Sequence, residues 1–340
     1  MISIFVRYLN LLVITLLVVI VFSFLLAFLF PGDPSLNLTG LDPQDVNSTR
    51  MFIQLDEGIL VAFWQYFVAI VNGDWGFSLT TGSALFEEIA LTLPATIELS
   101  LYALVIAIVI GLPCGFLAGL KPQRTLDYSV LGLSALMYSF PVFWVAMIFI
   151  LLFSLNLGWL PLSGRADLLL DIPHVTGFIM LDIALSDNLD RGQAFIDAVK
   201  HLILPTLSVS LITTATIIRT VRRSTLEVMR KPYIIAAQSR GLSARQIFLK
   251  HGMRNALLPI LPIMAMQITT LITNVMIVES LFSWPGIGNW LLQAIYQQDY
   301  PAIRAGMLAV ATAVIGLTIL IEVMNRLIDP SREKFERVTI

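Results

Sequence analysis

The stretch Tyr233–Pro259, YIIAAQSRGLSARQIFLKHGMRNALLP, decides how this chain is organised. Five of its side chains carry or can acquire a positive charge: Arg240, Arg245, Lys250, His251 and Arg254. Apolar runs long enough to cross a bilayer lie on both sides of it. A basic segment that is interrupted by glycine and lies between two such runs indicates a loop at a membrane surface.

The composition places the whole chain in the polytopic membrane class. Of its 340 residues, 57% are hydrophobic and only 13% are charged, and the mean hydropathy is +0.84. Soluble domains carry about 25% charged residues, so a chain this apolar cannot hide its surface in one water-soluble core. The net charge of −2 gives no basic excess that would indicate nucleic-acid binding. The single cysteine and the three scattered histidines lack the spacing of a disulfide or a metal site.

Six apolar segments are candidates for transmembrane helices, because a bilayer core needs about 20 helical residues. The first is Tyr8–Phe30, which is too long for the apolar region of a signal peptide. An outer segment, 31–98, separates it from a core at 99–328, and a short tail, 329–340, follows. The core holds the other five spans, which are Leu99–Leu120, roughly Leu136–Asn156, Leu202–Ile218, Asn255–Val278 and Ala305–Ile321.

The distribution of Lys and Arg orients these spans. With the N-terminus inside, 16 of the 21 Lys and Arg fall on the inner side, nine of them between Arg219 and Arg254. Such residues are enriched in cytoplasmic loops. A further span at Gly58–Asn72 would turn the nine-cation loop outward, so we interpret this run as an interfacial or loop-packing helix. The prediction is an all-α integral membrane protein with six spans and both termini in the cytoplasm.

Local signals predict a helix–turn–helix within the inner loop 219–254. The patterns Ser224–Glu227 and Ser243–Gln246 are both capping boxes, so a helix is expected to start at each serine. Gly241 predicts a helix end, because glycine takes a positive φ at little cost. Two short helices that expose Ala236 and Ala237 together with cations are typical of a docking surface. A solvated basic loop that only fixes the topology is the alternative that these residues leave open.

The polar side chains of the spans form two stripes. One face of the fourth span carries Thr206, Ser210, Thr213 and Thr214, and one face of the fifth carries Gln267, Thr270 and Asn274. These stripes are either helix–helix contacts or the lining of a polar route for a solute. The ionisable groups that drive secondary carriers usually lie at the bilayer midplane, and these spans have essentially none. Uphill transport by this chain therefore needs energy from outside it.

Motifs of soluble and membrane enzymes are missing from the sequence. No Gly-Lys pair of a phosphate-binding P-loop occurs, and neither does a Gly-x-Ser-x-Gly or a His-Glu-x-x-His pattern. We therefore expect no catalytic residue, no metal and no cofactor in this chain. A stand-alone secondary carrier or channel is the competing class, but it would need midplane charges or an internal repeat. An intramembrane enzyme is a third class, for which no constellation of residues is visible.

The inner loop resembles the cytoplasmic signature of ABC importer permeases. Ala236, Ala237 and Gly241 match this signature, and Ile235 stands where the signature has Glu. The longer spacing to Pro259 is similar to the variant in the dipeptide/oligopeptide permease family, as are His251 and Arg254-Asn255-Ala256. Further blocks resemble the same family in the same order, namely FPGDP at 30–34, GDWGFS at 73–78, LGWLPLSGR at 157–165 and ESLFSWPGIGNWLLQAI at 279–295.

Within this family, the blocks LGWLPLSGRADLL, LDIALSD and YQQDYPAIRAG look closest to the Sap-type peptide permease subunit. The resemblance implies the type I importer permease fold in a bacterial inner membrane. It implies a homologous second permease subunit, two cytoplasmic ATPases that bind ATP and Mg, and a periplasmic solute-binding protein. The solute would be a peptide, cationic antimicrobial peptides included, and a polyamine is the alternative. The residues that would couple to an ATPase are Ile235, Ala236, Ala237, Gly241, Arg254, Asn255 and Pro259.

Overall fold

A computed structural model describes residues 2–29, 58–186 and 190–328 of the chain. Over these ranges the protein is helical, with no β-structure beyond an isolated bridge between Phe77 and Ala84. The predicted all-α class is therefore confirmed. The block FPGDP, the last residue of LDIALSD and the tail 329–340 lie outside the described residues.

Thirteen α-helices follow one another along the described chain. They are α1 (Ile2–Leu29), α2 (Ile59–Val71), α3 (Leu85–Leu120), α4 (Thr125–Ser139), α5 (Val142–Phe149), α6 (Ile179–Leu185), α7 (Arg191–Met229), α8 (Pro232–Ser239), α9 (Ala244–Ile247), α10 (Met253–Leu257), α11 (Leu261–Leu281), α12 (Ile287–Tyr296) and α13 (Tyr300–Ile328). A π-helix, Ile150–Asn156, continues α5, and a second one, Phe248–Gly252, joins α9 to α10. Leu168–Leu170 forms a 3₁₀ turn.

Four of the described helices are long and apolar enough to cross a membrane: α3, α7, α11 and the part Tyr300–Asn325 of α13. A fifth candidate is the pair formed by α4 and the helix Val142–Asn156, which are bent by 95° at a short break. Helix α1 contains a shorter apolar stretch, Leu12–Leu26, and α2 is only 13 residues long. These assignments rest on length and composition, so six spans with both ends inside stay a prediction.

The third predicted span differs most from the structure. A helix at roughly Leu136–Asn156 was expected, but α4 ends at Ser139 and the next helix begins at Val142. Pro141 explains the break, because it has no N–H to donate and disfavours helical backbone in the residue before it. Phe140 is accordingly extended, with φ −101° and ψ 136°. The end at Asn156 is as expected.

By its internal contacts the chain divides into two compact units. The first comprises Met1–Ile97, Ser163–Ala198 and Phe282–Ile319. Its described part contains Trp284, which is fully buried and donates its indole N–H to the Ala95 carbonyl at 3.2 Å. The Ser78 hydroxyl donates to Asp299 Oδ2 at 2.6 Å, which fixes a loop before α3 to the turn between α12 and α13. Most of the predicted outer residues fall in this unit.

The second unit comprises Glu98–Leu162, Val199–Leu281 and Leu320–Ile340. Its described part is built on close packing of α3 against α7. Gly111, Gly115 and Gly119 lie on one face of α3, and a Cβ on Gly115 would come within 2.6 Å of Val221 Cβ. Small residues four apart allow this approach of two membrane helices. The predicted inner loop belongs to this unit.

Candidate functional site

The inner segment begins where α7 ends at Met229. Helix α8 starts at Pro232, which suits the first helical position because the N–H that proline lacks has no helical partner there. The helix ends at Ser239, and Gly241 takes a φ of +79°, which a residue with a Cβ adopts only at a cost. The Gly241 N–H donates to the Gln238 carbonyl at 2.9 Å. The predicted helix end at Gly241 is confirmed.

Of the two capping boxes, one begins a helix and the other does not. The Ser243 N–H donates to Gln246 Oε1 at 3.0 Å and the Ser243 Oγ accepts from the Gln246 N–H, so α9 starts as expected. The helix start predicted at Ser224 is wrong, because α7 continues without a break to Met229. The Ser224 hydroxyl instead donates to the Ala256 carbonyl at 2.7 Å. A contact distant in sequence has replaced the local cap.

The two faces of α8 have different surroundings. Ile234 and Ala237, which are three residues apart, face inward and form a cluster with Ile247, against which Met229 and Leu242 pack. Tyr233, Ile235 and Ala236 are exposed. Exposure of both alanines was expected, and the structure exposes Ala236 but buries Ala237. The outward face of α8, defined here as Tyr233, Ile235 and Ala236, is the surface open to a partner.

The segment that carries this face also has exposed basic side chains. Arg240 lies at the C-terminal end of α8, and all five basic residues of the stretch are exposed: Arg240, Arg245, Lys250, His251 and Arg254. An apolar helical face and exposed basic side chains on the same segment fit a protein surface that carries acidic groups, or the anionic headgroups of the inner leaflet.

The segment is bonded to the chain that leads back into α11. Asn255 Nδ2 donates to the Tyr233 hydroxyl at 3.1 Å, which joins α10 to α8. The bond from Ser224 to the Ala256 carbonyl joins α10 to α7. Arg254 is exposed on α10, and Pro259 is exposed shortly before α11 begins. The structure therefore brings six of the seven predicted coupling residues onto, or next to, α8 and α10, with Pro259 two residues before α11.

An ion pair that the sequence pattern did not reveal joins α7, the helix that leads into the segment, to α4. The Arg222 guanidinium on α7 donates to both oxygens of Asp127 on α4, at 2.5 and 2.8 Å. Asp127 Oδ2 also accepts the N–H of Gln123 at 2.9 Å, and its side chain is 1% exposed. The partners are 95 residues apart, so no local spacing could have indicated the pair.

The two polar stripes end up in different environments. On α7 all four side chains, namely Thr206, Ser210, Thr213 and Thr214, are buried within the unit. The Thr214 hydroxyl donates to the Ser210 carbonyl of its own helix at 2.7 Å. On α11, Gln267 and Asn274 are half-buried and Thr270 is exposed. Burial favours helix packing for the first stripe, whereas the second remains accessible.

Two buried carboxylates were not anticipated as interior groups. Glu98, which directly precedes the predicted span Leu99–Leu120, is 1% exposed, and its Oε1 accepts a hydrogen bond from the Tyr102 hydroxyl at 3.2 Å. Glu279, near the end of α11, is fully buried.

In the described part of the chain no group of three or more His, Cys, Asp and Glu side chains could hold a metal ion.

Comparison with known proteins gives one consistent result. Residues 111–334 match the family described as the binding-protein-dependent transport system inner membrane component, and residues 1–100 match its N-terminal family. The chain is 40% identical to the di/tripeptide transport system permease protein DppB of Pseudomonas aeruginosa over 97% of this chain and 98% of that protein. It is 40% identical to the peptide transport system permease protein SapB of Salmonella typhimurium over 80% of this chain and 84% of that protein.

A third relative carries a different name. The putrescine export system permease protein SapB of Escherichia coli is 39% identical over 80% of this chain and 84% of that protein. The two family matches together extend over most of the sequence, and they agree with the order of blocks along the chain. The resemblance to dipeptide/oligopeptide permeases and to the Sap-type peptide permease is confirmed by these matches. The chain therefore belongs to the family of inner-membrane components of binding-protein-dependent transport systems, and it is a multi-pass permease of the inner membrane and not an enzyme.

Proposed function

We propose that this chain is the peptide-conducting permease subunit of an ATP-driven importer. The names of the relatives from Pseudomonas aeruginosa and Salmonella typhimurium support peptides as the solute. The observation that carries the proposal is the outward face of α8, which is exposed and largely apolar and belongs to a segment whose basic side chains are also exposed. A short helix with such an exposed face is suited to transfer motion from a cytoplasmic partner to the membrane spans.

The partner at this face is an ABC ATPase, and two such subunits serve a pair of permeases. Ile235 and Ala236 would enter a groove of the ATPase, and the small side chain of Ala236 lets the two backbones approach. Ile235 replaces the Glu of the general signature with a side chain that is 56% exposed. Its contribution to docking is therefore burial of apolar surface rather than an ion pair.

The second permease subunit would cover the accessible stripe on α11. Gln267, Thr270 and Asn274 are polar and remain open in the single chain. Polar side chains on a membrane helix rarely face lipid, and they usually line a cavity or meet another helix. A homologous subunit that faces this stripe would complete a polar route for the peptide. A periplasmic solute-binding protein would deliver the peptide from the outer side.

The coupling route follows from the contacts of α8. Closure of the ATPases would displace α8, whose inward face packs on Met229, Leu242 and Ile247. The displaced segment would then move α10 and the start of α11, and so switch the spans between inward- and outward-facing states. Because the ATPases hydrolyse ATP, this chain needs neither a nucleotide site nor midplane charges of its own.

Reconstitution tests the proposal. The chain is placed in lipid with its second permease, ATPases and binding protein, and uptake of a labelled dipeptide and of putrescine is measured with and without ATP. The proposal predicts ATP-dependent dipeptide uptake that stops when the ATPases are left out. Dipeptide transport by this chain alone, indifferent to ATP, would identify a secondary carrier, and ATP-driven movement of putrescine without dipeptide would identify a polyamine permease.

Variants of the loop test where the ATPase binds. Gly241→Pro cannot take the φ of +79° that ends α8, and Ala237→Glu places a charge in the cluster with Ile234 and Ile247. Both variants should insert into the membrane and lose the ATPases on co-purification. Normal ATPase binding in both would mean that the loop is only a topological anchor.

A further inference from the structure

A hydrogen bond between two side chains links α8 to the chain that enters α11. Asn255 Nδ2 donates to the Tyr233 hydroxyl at 3.1 Å, although the residues are 22 positions apart. Asn255 Nδ2 also donates to the His251 carbonyl at 2.9 Å, which orients the amide within its own helix. The Tyr233 ring lies on the outward face of α8, so the bond joins that face to α10.

This bond is a second attachment of α8, separate from the apolar one. The inward face of α8 packs through Ile234 and Ala237 against the end of α7 and against α9. No residue of α10 belongs to that cluster. Helix α10 is held to α7 by the Ser224 hydroxyl, which donates to the Ala256 carbonyl at 2.7 Å. Through the neighbouring residues Asn255 and Ala256, α10 is therefore hydrogen-bonded to both α8 and α7.

The backbone route from α8 to α10 is longer and less regular. It passes through the turn at Gly241, the four-residue helix α9 and the π-helix Phe248–Gly252. A π-helix is rare, occurs mostly as a single-turn insertion in an α-helix and is frequently found at functional sites. The bond from Tyr233 to Asn255 bypasses this route, because it connects the two helices directly through space.

We propose that Tyr233 and Asn255 are positioning residues that convey displacement of α8 to the start of α11. The inference rests on the proposed function, in which an ATPase moves α8. Neither residue needs to contact ATP or peptide. Their role is to displace α10 together with α8 when the ATPases close. ATP hydrolysis then changes the arrangement of the membrane spans.

A double-mutant cycle in the reconstituted complex tests the link. Tyr233→Phe removes the hydroxyl but keeps the ring, Asn255→Ala removes the donor, and the double variant removes both. The measured quantity is the amount of dipeptide transported per ATP hydrolysed. Each single variant should lower this ratio about two- to tenfold, the range expected for one hydrogen bond. The double variant should be no worse than the poorer single one, because both changes break the same bond.

Rescue by Asn255→Asp distinguishes positioning from a general structural role. A carboxylate can accept a hydrogen bond from the Tyr233 hydroxyl, so the direction of the bond reverses but the link remains. The ratio should recover in Asn255→Asp and fall again when Tyr233→Phe is added. A merely structural pair would reduce the yield of folded complex or its thermal stability and leave the ratio at the wild-type value, which would overturn the inference.

The remaining outcomes separate the link from the function on which it rests. If wild-type complex couples peptide uptake to ATP but the two single effects multiply in the double variant, the link is refuted and the proposed function stands. If wild-type complex shows no ATP-dependent peptide uptake, both are refuted together.

Discussion

Alanine variants of two neighbouring isoleucines in α8 can distinguish an effect on ATPase docking from an effect on folding. Ile234 is 0% exposed within the cluster formed with Ala237 and Ile247, whereas Ile235 is 56% exposed on the outward face. Replacing a buried isoleucine by alanine costs about 2–5 kcal/mol. The same change at an exposed position alters folding by no more than about 0.5 kcal/mol.

The expected loss of affinity follows from the exposed fraction of Ile235. Full burial of an isoleucine side chain contributes about 1.5–3 kcal/mol. Since 56% of this residue is open, covering it with an ATPase contributes about 0.8–1.7 kcal/mol. Ile235→Ala should therefore weaken ATPase binding about four- to seventeenfold, while the thermal unfolding of the permease stays at the wild-type value.

The assay uses the permease pair in lipid nanodiscs. Binding of the purified ATPase subunits is titrated, and thermal unfolding is recorded on the same preparations. Ile234→Ala should unfold at lower temperature, and its binding should fall as a consequence. Leu168→Ala is the control, because Leu168 is 96% exposed but lies between the third and fourth predicted spans, on the outer side in the predicted topology. Wild-type ATPase affinity in Ile235→Ala, or a loss of affinity in Leu168→Ala, would refute the assignment of the outward face.

Two further variants test the packing of the second unit. Asp127→Ala leaves the Arg222 guanidinium without its main partner and should cost about 3 kcal/mol of unfolding free energy by chemical denaturation. An unfolding free energy equal to that of the wild type would contradict the assignment of this pair. Gly115→Ala places a Cβ within 2.6 Å of Val221 Cβ and should lower the free energy of unfolding by about 1–3 kcal/mol. Gly132→Ala is the control, because no atom lies within 4 Å of the added Cβ, and it should be neutral or slightly stabilising. Equal effects of the two variants on the free energy of unfolding would refute the close contact of α3 with α7.

Local chemistry explains which parts of the inner segment could be predicted from the sequence. The turn at Gly241 and the cap at Ser243 depend on residues within a few positions of each other, so both appear in the structure as expected. Ser224 carries the same capping pattern, but its hydroxyl bonds to Ala256 and α7 continues past it. A tertiary contact can override a local signal in this way, and a sequence pattern does not record such a contact.

Long-range packing explains why the other features of the fold and the site could not be predicted from the sequence. The burial of Ala237 depends on Ile247, which is brought back by the turn, and the pair of Asp127 with Arg222 joins helices 95 residues apart. Hydropathy identified the apolar segments but not the 95° bend between α4 and the helix Val142–Asn156. Pro141 accounts for the break itself, and the angle between the two helices depends on how they pack.

Site-specific photo-crosslinking tests most directly whether ATP-driven motion enters the chain at α8. A benzophenone amino acid is introduced by Ala236→p-benzoylphenylalanine in the assembled complex, with the same replacement at Leu168 as the control. We expect a cross-link from position 236 to an ATPase subunit, with a yield that changes when ATP is added, and none from position 168. Absence of a cross-link to the ATPase from position 236, in a complex that still couples ATP hydrolysis to peptide uptake, would contradict it.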